Sequence, residues 1–310
     1  MTTGSPGWAK RSVIGLLGSR PVSSISRRVS RGALRVLAYH GVPDPKAFEQ
    51  QLQVLSSEYT PVNGAAVVSH LRGELELPTD SIWVTFDDGL ADVVEFGLPL
   101  LLKHGVPASM FVCPGLVGTG QDHWWDAVSR ASDLGWVLSN IDRVDLLHHL
   151  KSLPDPNRRM AVAEAETFLT RHSVLRSPGP ANLDQLRNWH SNGMEIGNHT
   201  WDHPCLDRCD RAEQRRQIKE TDDWLQAFGA FDTTRLFAYP NGDWTEISEG
   251  TLRDLGYDLA LLFDHRLSAI DDCDPLRVSR LRIDSDASIS RLRAVASGGH
   301  PTVFGIASGL

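Results

Sequence analysis

Short runs rich in β-branched and aromatic residues alternate with helical patterns along most of this chain, and no other feature constrains its fold as tightly. The β-like runs fall at residues 34–39, 82–86, 108–113, 194–197, 235–239, 257–263 and 276–283. Helical periodicity follows at 48–59, 93–104, 212–228, 246–255 and 289–296. Such βα repetition predicts a parallel sheet covered by helices, and closure into a barrel would leave no exposed sheet edge. The expected fold class is therefore α/β, a distorted (β/α)7-type barrel. Residues 124–189 lack clear strands and are expected to form a helical insertion, most regular at 158–171 and closed by the Pro178-Gly179-Pro180 break. The expected organisation is an N-terminal extension over 1–33, one folded domain over 34–296 and a tail over 297–310.

Charge is unevenly spread in a way that excludes some functions. The net charge is −8, but residues 1–35 hold seven Lys or Arg and no Asp or Glu, leaving 24 basic against 39 acidic residues in the rest. An acidic body argues against nucleic acid as a partner. The basic leader reads as a frayed or docked extension, with peripheral contact to an anionic membrane surface as the alternative. Its apolar stretch at 13–17 is short and interrupted by Gly15, which fits neither a secretory signal nor a long interfacial helix. No apolar run is long enough to span a bilayer. Cys113, Cys205, Cys209 and Cys273 form no disulfide framework, so a reducing, cytoplasmic setting is expected.

Placing the unusual polar residues on the strand map collects them at strand C-terminal ends, which form the active-site face of a βα barrel. Asp87 and Asp88 follow the run at 82–86, where two carboxylates beside an apolar wall require a neutralising cation. In His199-Thr200-Trp201-Asp202-His203, two imidazoles four residues apart can share one cation if they project from a single helical turn. Two histidines and one carboxylate leave coordination positions open, as in catalytic rather than structural zinc sites. Cys205 and Cys209 lie nearby but supply no second half of a Cys/His site, and read as ordinary thiols. His148 and His149 fall in a helical stretch with no evident role.

Thr85-Phe86-Asp87-Asp88-Gly89 and His199-Thr200-x-x-His203, in that order, resemble the first two motifs of the polysaccharide deacetylase family, also called the NodB-homology or carbohydrate esterase family 4 domain. The resemblance covers about residues 36–282 and implies a hydrolase that removes N-acetyl groups from an amino sugar. It implies that Asp88, His199 and His203 bind one divalent metal ion, zinc first with cobalt or nickel as alternatives, and that Asp87 is the catalytic base. The third motif departs from the family pattern: Ala238-Tyr239-Pro240-Asn241-Gly242 lacks the arginine that orients the base. This Tyr-Pro variant, with Tyr39-His40, is similar to the poly-N-acetylglucosamine deacetylase branch.

Arg280 is expected to fill the orienting role, in competition with Arg282, which strand alternation would place on the same face, and with Arg277. The expected general acid is His40, ahead of His265; His300 sits in an irregular loop. Tyr239, Pro240 and Asn241 are expected to contact substrate, Asn241 through its backbone N–H as an oxyanion donor. In His123-Trp124-Trp125-Asp126, one tryptophan is expected in the core, and Trp125 is taken as the one that stacks on sugar. The expected partner is an N-acetylated carbohydrate: a polysaccharide, a lipid-linked glycan or a small glycoside. An amidohydrolase acting on a cyclic imide or formamide, and an inactive sugar-binding module, remain as alternatives.

Overall fold

A computed structural model describes residues 7–138, 141–172, 179–231, 234–269 and 273–300. Pro178, positions 1–6 of the extension and positions 301–310 of the tail lie outside them. Eight strands are present: β1 (Arg35–Tyr39), β2 (Thr60–Val62), β3 (Ser81–Phe86), β4 (Ala108–Val112), β5 (Glu195–Asn198), β6 (Leu236–Ala238), β7 (Leu259–Leu261) and β8 (Leu281–Arg282). Every pairing between them is parallel. Because helices cover the sheet and side chains fill its interior, β1, β3 and β4 are buried at every position and read as continuous apolar runs rather than alternating ones.

The strands follow the order β7-β6-β5-β4-β3-β1-β8, with β2 paired to the first half of β3. The ring closes through a short seam. Val278, three residues before β8, bridges Leu261 of β7 and exchanges hydrogen bonds with Ala260 and Leu262, while Leu281 pairs with Leu37 of β1. This is the expected barrel of seven strands, β2 lying outside the ring. The run at 276–283 is not a continuous strand. It opens with a 3-10 turn at Pro275–Arg277 and is irregular at 279 and 280. Simple alternation therefore fails there, and Arg280 is fully buried while Arg282 is exposed.

Between β1 and β3, two elements escaped the periodic reading. The three-residue β2 is too short to show a period, and the helix Gly64–Leu71 lies in an almost uniformly apolar stretch. That helix is held at its N-terminus from the barrel floor, where the buried Glu195 carboxylate accepts from the N–H groups of Gly64 and Ala65 at 2.8 Å each.

The insertion is smaller than the expected 124–189. Helices Trp124–Asp133, Arg143–Ser152 and Asp155–His172 share a separate core of Trp124, Val128, Leu146, Leu150 and Ala165. The next helix, Leu183–Ser191, instead buries Leu186 and Trp189 in the main barrel core, where Trp189 meets Phe86 edge-on. It is an ordinary crossover helix leading into β5.

Helices Gly7–Leu17 and Arg20–Val29 dock on the final helix, Ile289–Ala296. Arg35 locks this junction: its buried guanidinium donates to the carbonyls of Ala296 (2.7 Å), Ala33 and Ser30. Among the described residues, no helix is long and apolar enough to cross a membrane.

Candidate active site

Strand C-terminal ends deliver the site. Beyond β3 the ladder continues for one residue, Asp87 N–H donating to the Tyr39 carbonyl, and the chain then turns at Asp88 with φ 70°. Left-handed backbone costs a non-glycine residue about 1–2 kcal/mol. Thr200, His203 and Asn241 adopt it as well, with φ of 69°, 58° and 57°. Four such residues around one cavity mark a place where surrounding structure imposes conformation on the chain.

The second motif is not the helical turn its spacing suggested. It is a loop after β5 whose bends at Thr200 and His203 bring the two imidazoles together, centroids 4.8 Å apart. Side chains hold the loop. Asn198 accepts from the N–H of Thr200, and Gln217 accepts from the N–H groups of Trp201 and Asp202. Gly115 donates to the Trp201 carbonyl at 2.8 Å, and a Cβ at that glycine would lie 2.5 Å from the Trp201 indole nitrogen. Only glycine permits that approach.

Ligand atoms of Asp88, His199 and His203 all lie within 4.8 Å of one another, and all three residues are buried. Asp88 Oδ1 stands 3.5 Å from His199 Nε2 and 3.6 Å from His203 Nε2, and it has no hydrogen-bond partner among the described residues. His199 Nδ1 lies 2.7 Å from the Ala238 carbonyl, which fixes the proton there and leaves Nε2 free as a lone-pair donor. An orphaned buried carboxylate oxygen facing two imidazole nitrogens fits a divalent cation. Burial opposes ionisation of Asp88, but the surrounding histidines hold its carboxyl well below the usual range. Burial also pushes His203 well below its ordinary value, toward the neutral form that a cation requires.

Asp87 faces Arg280 rather than the histidine pair. Two guanidinium nitrogens donate to its two oxygens at 2.7 Å each, both groups being buried. Arg280 is anchored in turn by the Leu262 carbonyl at 2.7 Å and by Thr85 Oγ1 at 3.2 Å. Burial works against ionisation of Asp87, yet Arg280 and then His199 outweigh it and its pKa falls. Arg282 turns outward to the Phe263 carbonyl, and Arg277 pairs with Glu249, so neither reaches Asp87.

A cavity of ≈420 Å³ opens over these groups, lined in part by His40, Trp125, Asn241 and Phe263. His40 lies at its edge against Phe263. His265 is not among the lining residues; it contacts the Arg282 N–H and His300 instead. Trp124 packs into the insertion core and donates to the His203 carbonyl at 3.1 Å, while Trp125 meets the His203 ring edge-on at 4.4 Å.

The substrate contacts expected of Tyr239 and Pro240 need correction. Tyr239 points into the core, donating to the Leu276 carbonyl at 3.1 Å, because the turn exposes Asn241 and buries the two residues before it. Leu147 and Lys151 were not singled out in the sequence, and His148 was placed in a helical stretch without a role. On helix Arg143–Ser152, His148 and Lys151 are exposed and Leu147 packs partly against the insertion core, and the three line the cavity. The apolar periodicity of that segment is weak, with Val144 exposed, and the packing of the insertion decides which residues look at the site.

Fold and site together define a βα barrel with one cation site open to a cavity at its strand C-terminal ends. The polysaccharide deacetylase family matches residues 75–141 and 160–260, and the chain belongs to that family. Over 83 residues it is 29% identical to the poly-beta-1,6-N-acetyl-D-glucosamine N-deacetylase of Staphylococcus aureus, which covers 27% of this chain and only 29% of that protein. In fold it resembles the Streptococcus pyogenes deacetylase PplD, solved with acetate, with 20% identity, a TM-score of 0.59 and coverage of 84% and 96% of the two chains. It also resembles IcaB from Ammonifex degensii, with 22% identity, a TM-score of 0.56 and coverage of 86% and 97%.

Proposed function

We propose that this chain is a metal-dependent N-deacetylase, hydrolysing the acetamide of an amino sugar to acetate and a free amine. The observation that carries this reading is the division of two adjacent carboxylates, Asp88 with the histidine pair and Asp87 with Arg280. One carboxylate is thereby available to a cation and its neighbour is kept out of the ligand set. A divalent cation held by Asp88, His199 and His203 supplies Lewis-acid polarisation of the acetamide carbonyl and makes water more acidic. The mixed nitrogen and oxygen donors, with positions left open, suit zinc, and cobalt or nickel by similar chemistry.

Asp87 takes the proton of the attacking water, and Arg280 fixes the orientation of its carboxylate. The N–H of Asn241 donates to the oxyanion as the carbonyl carbon becomes tetrahedral. His40, at the cavity edge, delivers a proton to the departing amine as the C–N bond breaks. Trp125 and Phe263 offer apolar faces to the sugar ring.

Acetate release from N-acetylglucosamine oligomers, assayed with zinc or cobalt beside a cyclic imide, tests the reading. The oligomers are expected to release acetate and the imide to persist. Imide turnover without acetate release would move the chain to the amidohydrolase alternative, and metal binding without any turnover would make it a binding module.

A further inference from the structure

We propose that Lys151 makes this cavity select an N-acetylated sugar bearing an anionic substituent, a phosphate ester or a carboxylate, a refinement that rests on the deacetylation reading. Among the described residues, Lys151 is the only lysine or arginine that lines the cavity. Leu146 and Leu150 anchor its helix in the insertion core, Leu147 packs partly against that core, and His148 and Lys151 stand on the exposed side. From there the ammonium crosses to the barrel and donates to Asn241 Oδ1 at 2.6 Å.

That acceptor is a neutral amide, and Lys151 forms no ion pair among the described residues. The neighbouring cations are already matched: Arg280 by Asp87, Arg159 by Asp155, Asp202 and Glu213, and Arg158 by Asp155. Asp243, on the turn after Asn241, makes no ion pair with Lys151, although the ammonium helps to draw its carboxyl down; burial foremost, then Asp207, outweighs that and pushes it up to about 6. An ammonium at a cavity wall that is hydrogen-bonded to a neutral amide and forms no ion pair can take an anion brought by the ligand.

The charge balance of the cavity points the same way. Asp87 and Arg280 cancel. A divalent cation more than neutralises the single charge of Asp88, so Lys151 adds to an already positive field. Trp125 and Phe263 accommodate the sugar ring, and Lys151 takes the charged substituent beyond it.

The test compares kcat/KM for acetate release from N-acetylglucosamine 1-phosphate, N-acetylglucosamine 6-phosphate and N-acetylmuramic acid with that for the neutral methyl glycoside of N-acetylglucosamine. Binding of the same four compounds is measured by calorimetry. At least one anionic compound is expected to be preferred about tenfold, the worth of one charged hydrogen bond. High salt should shrink that preference, and Lys151→Met should reduce it to about twofold or less. Whether a phosphate or the carboxylate leads identifies the anion. A neutral glycoside handled as well as every anionic compound, or a preference untouched by Lys151→Met, would overturn the proposal. Lys151-dependent selectivity in binding without acetate release would support the anion site and sink the deacetylation reading alone.

Discussion

Asp87 and Arg280 stand 193 positions apart in the chain and meet in a two-point contact in which both groups are buried, Asp87 keeping an edge on the cavity. A buried pair of this kind is costly to break from one side, because the surviving charge has nowhere to go. Arg280→Met is therefore expected to lower the unfolding free energy by about 3–5 kcal/mol. It should also depress acetate release by roughly 100-fold or more through loss of a fixed base. Denaturant unfolding and turnover measured on one preparation check both effects; full activity in this variant would exclude Arg280 from orienting Asp87. The arginine was legible in the sequence only as one of three candidates. Separating Arg280 from Arg282 required the 3-10 turn and irregular backbone before β8, which period-two reasoning does not contain.

At the scale of elements, the insertion does more than roof the cavity. Arg159, on helix Asp155–His172, donates to both oxygens of Asp202 at 2.8 and 3.0 Å, and Asp202 immediately precedes His203. Gln217 donates to the same Asp202 at 2.8 Å from helix Arg211–Phe228, so two helices clamp the loop that carries the histidines. Arg159→Met should weaken metal binding roughly 10–100-fold, the usual effect of removing a group that orients ligands. Competition with a chelator reads this directly, and unchanged affinity would reduce the clamp to ordinary packing.

Glu213 completes the cluster, with its carboxyl lowered to about 2 by the hydrogen bonds from Arg216 foremost and opposed by burial. A folded-state pKa below the unfolded one adds stability above the unfolded value of about 4.3, and that stability fades as pH falls toward 2. Glu213→Gln should therefore flatten the acid limb of the stability profile between those limits, as followed by thermal unfolding across pH. Little of this was legible beforehand. Long periodic helices such as Arg211–Phe228 and Ile289–Ala296 stood out because their apolar faces repeat, and the site ligands because rare residue types cluster at strand ends. The second motif was read as a helical turn because spacing alone cannot reveal the left-handed bends at Thr200 and His203.

For the molecule as a whole, the barrel closes over buried Asp87, matched by Arg280, and buried Asp88, which faces His199 and His203. Metal bound only by the folded state should stabilise it by about 2.7 kcal/mol at a hundredfold excess over Kd. A chelator is expected to lower Tm, and zinc to restore it in proportion to the logarithm of its concentration. Asp88→Asn should abolish that dependence. The seven-stranded ring and its active face were legible from the βα rhythm, whereas the limits of the insertion were not, because helix Leu183–Ser191 reveals its allegiance only through the burial of Trp189 in the barrel.

On the proposed mechanism Asp88 and Asp87 have separate tasks, one holding metal and the other moving a proton. Acetate release from N-acetylglucosamine oligomers by Asp87→Asn, with metal content determined on the same sample, tests it most directly. Metal is expected to remain bound near the wild-type stoichiometry and acetate release to be lost. Acetate release near the wild-type rate, or loss of the metal together with activity, would contradict it.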